Sequence, residues 1–138
     1  MSEMNQIRVL TIDDHPVLRE GLATIIRNQP DMLLVADAGN GRESIQQFQE
    51  HKPDVGLMDL RLPDMSGIDA MIAIRAEFPE ARIIILTTFA DNAEIKRAFD
   101  AGARGYLLKS MPPKHLMEVV RQVHAGRTHF PPEIVDKS

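Results

Sequence analysis

Residues 7–30 read IRVLTIDDHPVLREGLATIIRNQP, and the order of residue types in this stretch decides the fold. From Ile7 to Ile12 the chain is apolar almost without interruption, as in a strand covered on both faces of a parallel sheet. It ends on two acids, Asp13 and Asp14. Pro16 then opens a helix in a first-turn position, Leu18, Leu22, Ile25 and Ile26 line one face of it, and Pro30 stops it. The unit is a strand, a charged turn and a helix.

Four more short apolar runs follow: Met32–Ala36, Val55–Met58, Ile83–Leu86 and Tyr106–Leu108. Helical spacing fills the gaps. Ile45 and Phe48 mark a helix that ends before Pro53. Ser66 and Asp69 form a start resembling a capping box, for a helix that stops before Pro79, and Asp91 and Glu94 do the same for one that ends at Gly102. Leu116, Val119, Val120 and Val123 stripe the last helix, between Pro112–Pro113 and Gly126. The alternation predicts an α/β protein of (βα)5 type, with parallel strands, right-handed crossovers and helices on both faces. After Gly126 the chain turns to THFPPEIVDKS, without periodicity. Residues 1–126 are therefore expected to form one domain and residues 127–138 a linker.

Composition narrows the function. A chain of 138 residues is about one domain long. With no cysteine it holds no disulfide, thiolate zinc site or cysteine nucleophile, and it fits a reducing compartment. No apolar run approaches the ~20 residues of a membrane span, and the first residues do not read as a signal peptide, so a cytoplasmic location with no membrane partner is expected. The net charge is −4, and the chain has no Trp, which argues against nucleic-acid binding by this chain itself. From Arg104 onward six Lys/Arg face three acids, or +3, so the preceding residues carry −7.

That acidic excess converges. In an open α/β sheet the ligand site lies beyond the carboxyl ends of the strands. Those ends supply Asp13 and Asp14, Asp59, Thr87 and Thr88, and Lys109. Gathered carboxylates repel, and need either raised pKa values or a cation. With hard oxygen donors and no cysteine, the set favours Mg²⁺, which keeps waters that a phosphate can replace. A lysine and a hydroxyl suit a phosphoryl group, and one carboxylate can itself be the nucleophile of an acyl phosphate. Each residue alone has a plainer reading. A strand-end Asp commonly caps the next helix, a lone Lys is solvated, and Thr87 is an ordinary β-branched strand residue. The shared chemistry of several strand ends tips the balance.

The segments VLTIDDHPVLREGL, DVGLMDLRLPDMSGIDAM, IIILTTFAD and AGARGYLLKSMPPKHL resemble the receiver domain of bacterial two-component response regulators. The IDDHP opening, the RLPDMSG loop and the GARGYLLKS ending resemble the NarL/FixJ class, whose full-length members carry a C-terminal LuxR-type helix-turn-helix. The resemblance covers roughly residues 7–125 and implies a flavodoxin-like sheet of order 2-1-3-4-5. It implies that a histidine kinase phosphorylates Asp59, that Asp13, Asp14, Asp59 and the main-chain carbonyl of Arg61 bind Mg²⁺, and that Lys109 and Thr87 contact the phosphoryl group. Tyr106 falls on the switch aromatic, expected to turn inward on phosphorylation. Thr88 stands where most receivers have a smaller residue. Ser110 stands where many have a cis proline; cis before a non-proline costs about 2.5–4 kcal/mol, so that bond is trans or the loop is strained.

The resemblance implies a signalling switch rather than an enzyme acting on other molecules, with DNA reached only through a further C-terminal domain. A dehalogenase-type aspartyl phosphatase is the main rival, but it wants D-x-D rather than adjacent Asp13–Asp14. A receiver that has lost phosphorylation and serves as a dimerisation module is the other. A flavodoxin-like electron carrier lacks its Ser/Thr/Gly-rich phosphate loop. Spacing among His115, His124 and His129 matches no tight zinc site; solvated surface is the better reading, and His15 reads as a rim residue. Met58, Met65, Met71, Met111 and Met117 read as core filling. A homodimer strengthened by phosphorylation is expected, on a surface including the last helix with Lys114, Arg121, Arg127, Leu116 and Val120.

Overall fold

Successive side chains of a strand point to opposite faces, so an unbroken apolar run needs cover on both sides. A computed structural model of the chain, which describes residues 5–131, supplies that cover. Strands β1 (Ile7–Ile12), β2 (Met32–Ala38), β3 (Val55–Asp59), β4 (Ile83–Thr87) and β5 (Gly105–Leu108) form one sheet in the order β2-β1-β3-β4-β5. All of its pairings are parallel. Helices α1 (Pro16–Arg27), α2 (Gly41–His51), α3 (Gly67–Glu77), α4 (Asn92–Asp100) and α5 (Pro113–His124) fill the crossovers.

The alternation sorts the core into two layers. Val9, Leu57, Ile84 and Leu86 face Leu22 and Ile26 of α1 and Met117 and Val120 of α5. Leu10, Ile12, Met58 and Ile85 face Phe48 of α2, Ile68, Met71 and Ile74 of α3, and Ile95 of α4. The methionines fill these layers as expected, with Met65 and Met111 at their margins. One expectation fails here. Leu116 is 7% exposed and Val120 0%, so both are spent mainly on the core under α5, and of the two only Leu116 reaches a surface groove. Arg121 is also engaged, in a bidentate pair with Asp31.

Helix starts follow the caps, with a difference. Asn40, Ser66 and Asp91 each accept a backbone N–H of the first turn. The acids expected to complete the capping boxes turn elsewhere: Asp69 pairs with Arg97 at 3.1 Å and Glu94 with Arg61 at 3.2 Å. Partners on other elements win over the local return bond. Gly102 ends α4 with φ +100, a backbone shape that side chains with a Cβ rarely adopt. Strand β2 runs two residues beyond its expected end, since Asp37 and Ala38 still pair with Thr11 and Ile12. As an edge strand it tolerates the charge, and it shifts register opposite Val9 and Leu10. Among the described residues no helix is long and apolar enough to cross a membrane.

The segment after α5, expected as a linker, doubles back on the sheet. His129 forms a parallel bridge with Gly105, donating to Arg104 O at 2.9 Å and accepting from Tyr106 N at 3.1 Å. Phe130 packs edge-on against Phe99 of α4, with centroids 5.1 Å apart. Residues 1–4 of the expected domain and 132–138 of the expected linker lie outside the described residues.

The end of the sheet opposite the acids is tied by Arg121. Its Nε donates to Asp31 Oδ2 at 2.7 Å, and its second nitrogen to Gln29 Oε1 at 2.7 Å. The hydrogen bond from Arg121 holds the Asp31 carboxyl below its usual range. A depressed carboxylate contributes stability that is present above its unfolded pKa of about 3.9 and is lost as pH falls through the folded value. Asp31 is 43% exposed, so solvent screens the pair and its contribution stays under about 1 kcal/mol. Asp31→Asn should lower the melting temperature slightly at neutral pH, and the gap to wild type should close in acid. Calorimetry across pH checks this.

Candidate functional site

Parallel strands deliver their carboxyl ends to one edge of the sheet. Asp13 follows β1, Asp59 closes β3 and Lys109 follows β5. The three meet. Lys109 Nζ lies 2.9 Å from Asp13 Oδ2 and 3.0 Å from Asp59 Oδ2. Asp13 is 1% exposed and Asp59 4%, so this ammonium bridges two carboxylates that are nearly dry. Burial pushes the Asp59 carboxyl above the usual carboxylate range, and the hydrogen bond from Lys109 offsets this only in part. Burial works against the Lys109 charge too, but the bonds it donates to Asp13 and Asp59 outweigh this and raise its pKa.

Neither acid caps α1. Asp13 Oδ1 instead accepts from His15 N at 2.8 Å, and the His15 ring Nδ1 lies 3.1 Å from Asp13 Oδ1 and 3.1 Å from Asp14 Oδ1. His15, expected as a bystander on the rim, sits over the acid pair. Donor atoms of Asp13, Asp14, His15 and Asp59 all fall within 4.8 Å of one another, the one such cluster among the described residues. The buried Asp14 Oδ1 has the His15 ring nitrogen at 3.1 Å but accepts no hydrogen bond in good geometry. A dense set of hard oxygen donors with one left unbonded fits a divalent cation such as Mg²⁺. Asp13, Asp14 and Asp59 would hold it, with the backbone of Arg61 close by, since Arg61 N donates to Asp59 Oδ1 at 3.2 Å.

Thr87 and Thr88 diverge. The Thr87 hydroxyl is buried and engaged with its own loop, donating to Phe89 O at 3.2 Å. Thr88 is exposed and lines a groove with His15, Lys109, Val17 and Leu116. The Lys109–Ser110 bond is trans. Lys109 N donates to Thr87 O at 2.7 Å, which fixes the lysine against β4 without a cis turn.

Tyr106 differs from expectation. It is 5% exposed, already inside the layer that holds Ile95 of α4. Burial of its hydroxyl, with Glu94 nearby, pushes its pKa up to about 12. His115 and His129 meet edge to face, centroids 6.0 Å apart, as a packed pair and not a metal cluster.

Two residues that matter to the site carried no role in the sequence. Gly67 opens α3 against the backbone of Asp59: a Cβ there would collide with Asp59 O. Asp64 accepts from Gly41 N at 2.7 Å and Arg42 N at 3.0 Å. Both lie in the RLPDMSG loop that carries the resemblance, but the partners of Asp64 at the start of α2 lie far off in sequence, so the motif gave neither residue a role.

A carboxyl whose folded pKa is raised gives stability below its unfolded pKa, and loses it as pH rises through the folded value. At neutral pH the ionised Asp59 therefore costs stability while no cation is bound. Asp59→Asn should raise the melting temperature in chelator by about 2–5 °C and should shrink the stabilisation that Mg²⁺ gives the wild type. Thermal scans with chelator and with Mg²⁺ check both.

Comparison with known proteins agrees with this geometry. Residues 9–121 match the response regulator receiver domain family. The response regulator protein VraR of Staphylococcus aureus is 37% identical over 131 residues, which cover 95% of this chain and 63% of VraR. The chain thus spans less than two-thirds of that relative. A LuxR-family two-component response regulator from Aurantimonas sp. SI85-9A1 superimposes with a TM-score of 0.88 at 37% identity, covering 95% of this chain and 94% of that one. The signal receiver domain of NarL from Mycobacterium tuberculosis gives 0.85 at 29% identity, covering 89% and 99%. The response regulator domain of Thermotoga maritima CheB gives 0.79 at 30% identity, covering 87% and 97%. On its motifs, its strand order and these relatives, the chain belongs to the response regulator receiver domain family, in its NarL/LuxR class.

Proposed function

We propose that a histidine kinase transfers a phosphoryl group to Asp59 of this chain in a Mg²⁺-dependent reaction, in the cytoplasm. The observation that carries the reading is the ammonium of Lys109 within 3.0 Å of both buried carboxylates, Asp13 and Asp59. An Asp59 oxygen attacks phosphorus, the bond from phosphorus to the imidazole nitrogen of the donor breaks, and an acyl phosphate forms. A bound Mg²⁺ supplies neutralisation of the charge shared by carboxylates and phosphoryl oxygens. Lys109 exchanges its carboxylate contact for a phosphoryl oxygen, Arg61 N–H holds the other Asp59 oxygen, and burial keeps bulk water away. Asp13, Asp14 and Asp59, with the Arg61 carbonyl, would hold the cation.

Incubation with Mg²⁺ and acetyl phosphate, followed by intact-mass measurement, tests this. The wild type should gain one phosphoryl group that persists for minutes, and Asp59→Asn should gain none. Continuous phosphate release with no accumulation of the phosphorylated protein would point to a phosphatase, and no uptake at all to a module that acts only by assembly.

The output reading rests on the segment docked on β5. Tyr106 N–H donates to His129 O, so the chain that leaves the domain is bonded to the backbone of the expected switch aromatic. With Tyr106 already inward, phosphorylation acts by drawing the Thr87 hydroxyl off Phe89 O and moving the β4–α4 loop. The change reaches α4, residues 128–130 and a C-terminal DNA-binding domain beyond this chain. It biases states that already exist. A homodimer favoured by phosphorylation fits the groove between α1 and α5, where Val17 is 87% exposed. Thr87→Ala should still be phosphorylated, but amide shifts in residues 92–100 and 128–130 seen for the phosphorylated wild type should disappear. Equal shifts in both proteins would sink the coupling.

A further inference from the structure

The β3–α3 loop, residues 60–66, has to keep its shape, because Asp59 precedes it and the Arg61 carbonyl lies within it. Its internal bonds close it upon itself. Arg61 and Ser66 face each other in an antiparallel bridge, Leu62 N donates to Met65 O at 3.3 Å and Gly67 N to Leu60 O at 2.7 Å. None of these attaches the loop to another crossover.

Asp64 does. Its Oδ1 accepts from Gly41 N at 2.7 Å and its Oδ2 from Arg42 N at 3.0 Å. Those N–H groups open α2, lack partners within the helix and sit at the positive end of its dipole, so a carboxylate suits them better than a neutral acceptor. The two backbone bonds hold the Asp64 carboxyl below its usual range. Asn40 meanwhile serves Glu43 N, so the cap and the clamp do not compete. Met65 closes the join, since a Cβ on Gly41 would collide with its side chain. Helix α2 is a firm post, held in the core by Phe48.

We propose that Asp64 is a positioning residue for phosphotransfer at Asp59: it ties the loop that carries the Arg61 carbonyl to the start of α2 and so fixes that carbonyl against the cation-binding carboxylates. The inference rests on the Asp59 and Mg²⁺ reading above. Asp64 acts through Arg61 and touches neither cation nor phosphoryl group. It stands outside the Lys109 bridge, so it serves the geometry of the cation and not the charge of the acids.

The test is a Mg²⁺ titration followed by backbone amide shifts, with acetyl-phosphate uptake measured over the same Mg²⁺ range. It uses wild type, Asp64→Ala, Asp64→Asn and Asp31→Asn. Outer partners of metal ligands commonly change affinity by about 10–100-fold. Asp64→Ala should raise the Mg²⁺ midpoint roughly tenfold, at the low end of that range, and its uptake should recover at saturating Mg²⁺. Asp64→Asn keeps one good acceptor and should fall between. Asp31→Asn, which weakens the far end of the sheet, should leave the midpoint where it is. An unmoved midpoint in folded Asp64→Ala, or an equal rise in Asp31→Asn, would overturn the positioning role while leaving the Asp59 reading intact. A wild type with neither a Mg²⁺ midpoint nor phosphate uptake would overturn both.

Discussion

One ammonium group organises this molecule. Lys109 Nζ spans Asp13 at the end of β1 and Asp59 at the end of β3, from its own place just past β5. Two carboxylates a few ångströms apart in a nearly dry setting repel strongly. A single cation between them turns that repulsion into a tie across the sheet. The tie is costly to desolvate, so it is weak evidence for stability, and it is strong evidence for a site. The same lysine that neutralises the acids at rest is the one a phosphoryl group would attract.

The scaffold meets that demand by making the strand ends rigid. The central strands β1, β3 and β4 are buried on both faces by helices from opposite layers, and the register of β3 is set on either side by parallel neighbours. Glycine takes over where a side chain does not fit: α3 starts so close to Asp59 that Gly67 has no room for a Cβ. That approach brings Gly67 N to Leu60 O and shapes the turn just after the acceptor. Packing density, rather than any polar network, thus fixes the acceptor's backbone, and polar bonds arrange only what lies above it.

Much of this was legible in the chain. The apolar runs gave the strands because parallel strands must be apolar on both faces, and the prolines and Gly102 gave the helix ends because they act locally. The acids, hydroxyl and lysine could be gathered once strand ends were known to share an edge. Signals that depend on distant partners were not legible. Asp69 and Glu94 look like halves of capping boxes until Arg97 and Arg61 are seen beside them. Leu116 and Val120 look like the margin of a stripe until the sheet under α5 covers them. Asp37 looks like the end of a strand, yet an edge strand lets a charge stay in the ladder. His15 sits over the acid pair by the geometry of a turn that residue type does not encode.

β5 shows how a small site can act at a distance. It has four residues, and the backbone at its ends is committed twice over: Lys109 N to Thr87 O on the sheet side, Tyr106 N to His129 O on the outer side. A strand this short, bonded along both edges, has little freedom to absorb a displacement within itself. Tyr106 lies between, with its ring in the α4 layer. The returning segment presses Phe130 on Phe99 of the same α4, so α4, ring and exit share one packed layer. In a layer packed like that, a shift of the β4–α4 loop has to be taken up by α4 or by the segment that leaves the domain.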